Sequence, residues 1–459
     1  MVIVPESLGS RDFKQDYGLR YAYLAGAMYK GIASPELVVA MGKAGMMGFL
    51  GTGGMAPAEV DAALQFVKQE LSAGQPFGAN LLSSPDNPRL EEEAVERFLR
   101  NDVRHIEASA FMRMTPALVR WRVTGLRRNA RGDVECPRRT IAKVSRPEVA
   151  ALFMQPAPEA LLAPLVAAGR ITESEAQLAQ SVPMADDICV EADSGGHTDQ
   201  GVASALMPAM FVLRDEMMAK YGYTRRINVG AAGGIGTPHA AAAAFMMGAD
   251  FIVTGSINQC TVEAGTSDAV KDLLQELNVQ DTEYAPAGDM FEIGARVQVA
   301  RRGLFFPARA NKLYELYQRH DSIDDIDPKT RQQIEERYFR RSFEDVWNET
   351  RAHYERTQPQ RLAQALKSPK QRMALIFRWY FVHTNRLALR GSPEQKVDYQ
   401  IHCGPAMGAF NQWVKGSELA SWRNRRVANI GLRIMSGAAQ MLGERFELLR
   451  SYQAERRVA

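Results

Sequence analysis

The stretch "CVEADSGGHTDQG", Cys189 to Gly201, gathers three carboxylates and one imidazole around a pair of glycines. It starts like a buried strand, breaks at Ser194-Gly195-Gly196 and then presents His197. A neutral imidazole at a strand end can donate a hydrogen bond or hand over a proton near neutral pH. A lone histidine is more often structural. Here Glu191, Asp193 and Asp199 lie close in sequence, and that weighs toward chemistry. No second histidine stands at helical ligand spacing, so no metal site is expected.

A second group of residues has the chemistry of an anion cradle. "NVGAAGGIGTPHAAAA", Asn228 to Ala243, sets glycines between a strand and a helix, and the next strand ends in Thr254-Gly255-Ser256. Unpaired backbone N–H groups at a helix start bind phosphate, and the helix dipole adds to the attraction. The spacing is neither a Walker loop nor GxGxxG, since Gly230 and Gly233 are three apart. Asn80 in "FGANLL" and Lys143 in "IAKVS" are polar residues inside apolar strand patterns. Buried amides and ammonium groups need partners, and the polar edge of one cofactor would serve both.

The elements that position these residues repeat one pattern. A short apolar run is followed by a small-residue turn and then a helical stretch. Runs beginning at Tyr21, Met46, Phe77, Val103, Arg139, Asp187, Arg226 and Ala249 read as strands. Between them lie helical segments such as "SPELVVAMGKAG", with Ser34 as N-cap and Pro35 in the first helical position. Gly45 and Gly248 are placed to end helices. Eight strands alternating with helices predict an α/β fold, a (β/α)8 TIM barrel, with an open doubly wound sheet as the competing topology. Both bind ligands at the C-terminal strand ends, where the glycines and polar residues cluster.

Insertions are predicted after strand four, at about 112–137 as a hairpin around Ala130-Arg131-Gly132-Asp133, and after strand five, at about 152–185 as two helices joined at Gly169. Past about residue 285 the pattern turns to long helices rich in arginine and aromatics, as in "KTRQQIEERYFRRSFEDVWNETRAHYER". The expected domains are therefore a barrel over 1–285 and a C-terminal helical region over 286–459.

The chain has 459 residues, 46% hydrophobic, enough for a full-sized core. Its net charge of +3 hides an asymmetry. From Arg296 onward 30 Lys+Arg face 17 Asp+Glu, a net of +13, while the preceding residues hold 26 against 36, a net of −10. Such a basic region favours an anionic partner; a set of solvated arginine-rich helices is the plainer alternative. No run is long and apolar enough to suggest a membrane span, and the N-terminal residues do not read as a secretory signal. Four scattered cysteines fit reduced thiols in the cytoplasm.

Together, "DYGLRYAYLAGAMYKGIASPELVVAMGKAGMMGFLGTGG", "FGANLL", "IAKVSRPEVA", "VEADSGGHTD", "GAAGGIGTPHAAAAAFMMGADFIVTGSINQC" and "GLFFPARANKLYELY" resemble the nitronate monooxygenase-like superfamily of FMN-binding barrels. Within it the likeness is to the trans-acting enoyl reductases of trans-acyltransferase polyketide synthases and of polyunsaturated fatty acid synthases. The resemblance runs from about residue 7 to 320. It implies that Gly26, Ala27 and Met28 form a turn against the flavin; relatives often carry Pro in place of Ala27. It implies that Asn80, Lys143 and Glu191 contact the ring or ribityl chain, Glu191 standing where simpler relatives have Gln. Ser194, Gly195, Gly196, Gly233, Gly234, Thr254, Gly255 and Ser256 would cradle the phosphate and ribityl chain, and His197 would be the catalytic residue. Implied with these are FMN, NADPH and an enoyl thioester on an acyl carrier protein, met by the basic helical region. Other readings are a polyunsaturated fatty acid synthase reductase, a nitronate monooxygenase and a nonredox docking protein of a synthase complex.

Overall fold

The computed structural model describes residues 3–458, with side chains to residue 452; Arg456 and Arg457 of the basic region lie outside the described side chains. All eight predicted runs form strands: β1 (Tyr23–Ala25), β2 (Met47–Leu50), β3 (Gly78–Leu82), β4 (His105–Ser109), β5 (Arg139–Val144), β6 (Asp187–Glu191), β7 (Asn228–Ala232) and β8 (Ile252–Thr254). Every neighbouring pair is parallel. The order β1-β8-β7-β6-β5-β4-β3-β2 closes on itself, so the barrel holds and the open sheet does not. Strands covered on both faces need unbroken apolar runs, and β1, β2, β7 and β8 are buried along their whole length.

The helices begin where the chain can afford to lose an N–H. Pro35, Pro57, Pro88, Pro116, Pro147 and Pro238 each open a helix following a barrel strand. The first helical position has no intrahelical acceptor to satisfy, and proline's fixed φ already suits it. The Ser34 hydroxyl accepts from the Leu37 N–H at 3.1 Å, as the sequence predicts. Gly45 (φ +75) and Gly248 (φ +101) follow helix ends in backbone geometry that other residues enter only with strain.

The hairpin and the helix pair expected in the insertions both occur, but segment 112–137 also holds the barrel helix Pro116–Val123. Arg127–Arg128 pairs antiparallel with Val134–Glu135, and the second insertion folds as helices Glu159–Ala167 and Glu173–Ala179 around Gly169. Beside them lies a buried ion pair. The Arg122 and Asp186 side chains are 2% and 3% exposed and 2.8 Å apart. Arg122 also donates to the Pro183 carbonyl, and the Asp186 carboxylate accepts from the Thr140 N–H at 2.9 Å.

The chain falls into two compact units that cut it differently from the sequence division at 285. The barrel unit runs to Asp193, resumes over Gln200–Gly265 and takes up again from Trp413. Its last helix, Val427–Val458, packs closely enough that a Cβ on Gly437 would lie 2.7 Å from Pro238 Cγ, and one on Gly431 2.8 Å from Met46 Sδ. Just before that helix, fully buried Arg425 donates to the Leu419 and Ala420 carbonyls and to Cys260 Sγ.

The second unit comprises Ser194–Asp199 and Thr266–Gln412. Its antiparallel strands Thr282–Pro286 and Arg296–Ala300 are extended by the two-residue strand Gly196–His197. Helices from Phe306–Arg319 to Pro369–Arg390 enclose an aromatic core that includes Phe291, Phe306, Phe339, Phe377 and Tyr380. Among the described residues no single helix is long and apolar enough to cross a membrane.

Arg122→Met leaves the buried Asp186 carboxylate with only the more distant Arg139, 3.8 Å away, as a close counter-charge. Losing one partner of such a pair costs about 3–5 kcal/mol, so the urea midpoint of the variant should fall well below wild type. An unchanged midpoint would mean the pair contributes nothing.

Candidate active site

At the C-terminal half of the barrel strands, polar residues that are far apart in sequence come together. Lys143 on β5 has its ammonium 3.3 Å from Glu107 Oε1 on β4 and 3.4 Å from Glu191 Oε1 on β6. Burial alone lowers the Lys143 pKa; the Glu191 and Glu107 carboxylates outweigh it and hold the ammonium above its ordinary value. The second oxygen of Glu107 accepts from the Ala27 N–H at 2.8 Å. Gly26 donates to the Thr254 carbonyl at 3.0 Å, which ties the turn after β1 to the end of β8. A Cβ on Gly26 would come within 3.0 Å of Val253 Cγ1, so glycine lets the turn lie close to its neighbour.

Asn80 lies beside this group, in register with Glu107. Its amide donates to the Glu107 carbonyl at 3.1 Å and the Ser109 hydroxyl at 2.9 Å. Both interior polar groups singled out in the sequence therefore have protein partners. Glu107 escaped the sequence reading, although "HIEASA" shows a charged residue inside an apolar strand at the position facing Asn80 and Lys143.

The glycine turns sit at the ends of β7 and β8. Gly233 (φ +87) is pressed against the chain after β6, where its Cβ would fall 2.5 Å from the Ala192 carbonyl oxygen. A Cβ on Gly234 or Gly255 would meet nothing within 4 Å, so both border open space. Ser256 begins a 3-10 turn running to Cys260. Thr254 departs from expectation. Its buried hydroxyl lies 2.8 Å from the Tyr23 hydroxyl and accepts from Asn258, which occupies it within the turn. Open space beside backbone N–H groups at two adjacent strand ends, with a lysine and two carboxylates on β4 to β6, fits the phosphate and polar edge of a nucleotide-like cofactor.

Met28 follows in the turn after β1, its carbonyl accepting from the Ala33 N–H at 3.2 Å, whereas Ser194, Gly195, Gly196 and His197 belong to the second unit. His197 pairs there with Asp289, its Nε2 lying 2.9 Å from the carboxylate Oδ1. None of the acids near His197 in sequence is this partner; Asp289 lies 92 positions away and carried no sequence signal. The Asp289 side chain keeps 61% of its exposure, and partial desolvation raises its carboxyl. The hydrogen bond and charge of His197 prevail and bring the pKa down to about 2. A carboxylate on one ring nitrogen sets the tautomer and stabilises the imidazolium.

The glycines before His197 have a packing reason as well. A Cβ on Gly195 would lie 2.8 Å from the Cys403 backbone and from the Gly404 nitrogen, while Gly196 has φ +88. Behind them is His402, half-buried and hydrogen-bonded to Gln400 at 2.8 Å. Desolvation of its ring first, and His197 second, lower its pKa to about 4, so this second histidine is neutral at physiological pH.

Comparison with known proteins matches both parts of the chain. Residues 13–301 fit the family model of nitronate monooxygenase, and residues 320–399 that of the inserted helical domain of acyl-carrier-protein S-malonyltransferase. Polyketide biosynthesis protein PksE of Bacillus subtilis (strain 168) is 60% identical over 97% of this chain and 58% of its own length. Polyketide biosynthesis protein ThaF of Burkholderia thailandensis is 52% identical over 96% of this chain and 38% of its own length. The chain thus spans little more than half, or less, of these curated relatives. The crystal structure of the enoyl reductase domain of MlnA, from the macrolactin biosynthesis cluster of Bacillus amyloliquefaciens, superposes with a TM-score of 0.93 at 46% identity, covering 96% of this chain and 99% of that one. The chain belongs to the nitronate monooxygenase family, in the branch that holds the enoyl reductases of polyketide synthases.

Proposed function

We propose that the protein is an FMN-dependent, NADPH-consuming enoyl reductase. It would act in the cytoplasm on α,β-unsaturated thioesters carried by acyl carrier proteins of a trans-acyltransferase polyketide synthase. The observation that carries this reading is the His197–Asp289 pair at 2.9 Å, a ready acid–base dyad in a chain similar along 96% of its length to an enoyl reductase domain. Reduction of an enoyl thioester needs a hydride at the β-carbon and a proton at the α-carbon. Bound FMN would supply the hydride chemistry that no side chain here possesses, with NADPH as the proposed reductant.

The chain's own residues have three tasks. N–H groups around Gly233, Gly234, Gly255 and Ser256 would hold the cofactor phosphate, while Asn80, Lys143, Glu191 and the Gly26-Ala27-Met28 turn would hold the rest of it. His197 gives or relays the proton, and Asp289 keeps its ring oriented. The helices of residues 320–399, with the basic charge of the region, receive the acidic carrier; their likeness to a domain of a carrier-protein transferase supports that partner.

The deciding experiment is anaerobic absorbance of the purified protein at rest, after NADPH and after a crotonyl-type pantetheine thioester. Flavin bands that NADPH bleaches and the thioester restores are expected. Flavin that NADPH leaves oxidised, with rapid turnover of a nitronate, would replace this reading with nitronate oxidation.

His197→Ala should slow the thioester-driven reoxidation by roughly 10²-fold or more. Asp289→Asn should slow it by less while leaving bleaching by NADPH unchanged. Because the Asp289 pKa is lowered to about 2, its carboxylate stays ionised from neutral pH down to that value. Asp289 itself should therefore not change charge across pH 5–9, and a reoxidation rate that tracked Asp289 titration in that range would contradict the pairing.

Charge reversal at the exposed Arg337, Arg340 and Arg386 should raise KM for carrier-bound substrate about tenfold and spare KM for the pantetheine thioester. Equal KM values for the carrier-bound substrate in wild type and variant would remove the docking role.

A further inference from the structure

The barrel site sets two carboxylates against one ammonium. Glu107 is buried, with its side chain 3% exposed, whereas Lys143 and Glu191 are 21% and 22% exposed. The two oxygens of Glu107 have separate duties: Oε2 takes the Ala27 N–H at 2.8 Å, and Oε1 faces the Lys143 ammonium at 3.3 Å without forming a hydrogen bond elsewhere. The other titratable group against Lys143 is Cys189, its register partner on β6, a thiol that burial keeps neutral. Glu107 is therefore the deepest charge of the group, and it shares its counter-ion with Glu191.

Burying a carboxylate is costly unless its charge is used. For holding the Ala27 N–H alone, a neutral amide would do as well. A carboxyl set against an ammonium here, where an amide would satisfy the Ala27 N–H, points to a use for its charge. Charge beside a flavin tunes its electronics, and in a low-dielectric interior the influence is strong. Negative charge opposes the gain of electrons and so makes the reduced flavin a stronger hydride donor.

We propose that Glu107 is a positioning and charge-setting residue of the barrel site: its carboxylate fixes the Ala27 amide and the Lys143 ammonium together, and its charge lowers the reduction potential of the bound flavin. This rests on the flavin reading above. Glu107 touches neither substrate nor reacting atoms in this role; it acts through Ala27, through Lys143 and through its field.

The test is the midpoint potential of the bound flavin, measured by equilibration with redox dyes in wild type, Glu107→Gln and Glu107→Asp. The glutamine variant keeps an oxygen for the Ala27 N–H but loses the charge, and its potential should rise. The aspartate variant keeps the charge with one methylene less reach. It should retain the wild-type potential while its FMN dissociation constant increases several-fold, and it carries the test if the glutamine variant does not fold. A Glu107→Gln potential equal to wild type, or a raised potential in Glu107→Asp, would overturn the proposal while leaving the cofactor reading intact. Wild-type protein that takes up no flavin on reconstitution would overturn both.

Discussion

A lysine inside a parallel barrel constrains everything around it. The strands of such a barrel are covered on both faces, and an ammonium there must find carboxylates or lose its charge. Lys143 finds one on each neighbouring strand, Glu107 on β4 and Glu191 on β6. Those contacts require the three strands to keep their register, because a slip of one residue would turn each side chain to the opposite face. The tie continues through Glu107 to the Ala27 amide, and through Gly26 to the end of β8. One ion-pair group thus links β1, β4, β5, β6 and β8, and it sets the side of the barrel at which a ligand meets polar atoms.

Local signals made the barrel legible. Each strand is an apolar run bounded by small residues, and proline at the first helical position marks where the chain turns into a helix. The hairpin and the paired helices of the insertions announced themselves by Gly132 and Gly169, both with positive φ. The predicted site residues divide along the same line. Gly234 and Gly255 border open space, and Asn80 and Lys143 are polar groups set inside apolar strands with partners on the neighbouring strands.

What sequence could not show depends on distant partners. Asp289 is one aspartate among many until the strand Arg296–Ala300 pairs with Gly196–His197 and brings it to the imidazole. Glu107 becomes meaningful only when register places it opposite Asn80 and beside Lys143. The helix Val427–Val458 shares its arginine-rich composition with the helices before it, yet Gly431 and Gly437 give it a close seat in the barrel unit. Thr254 shows the converse: a hydroxyl next to a glycine turn invited a ligand, and an asparagine four residues on occupies it.

The route of the chain through its two units also fixes an order of manufacture. Apart from the six residues Ser194–Asp199, the second unit is one continuous stretch, Thr266–Gln412, enclosed between barrel segments. Domains fold as units while the ribosome is still adding residues. All eight barrel strands leave the ribosome before that stretch does, but the helix that closes over Pro238 and Met46 leaves after it. The aromatic core of the second unit is therefore fully synthesised while the barrel still waits for its last helix. The half-built barrel must keep its exposed apolar face out of trouble for the time taken to translate nearly 150 residues.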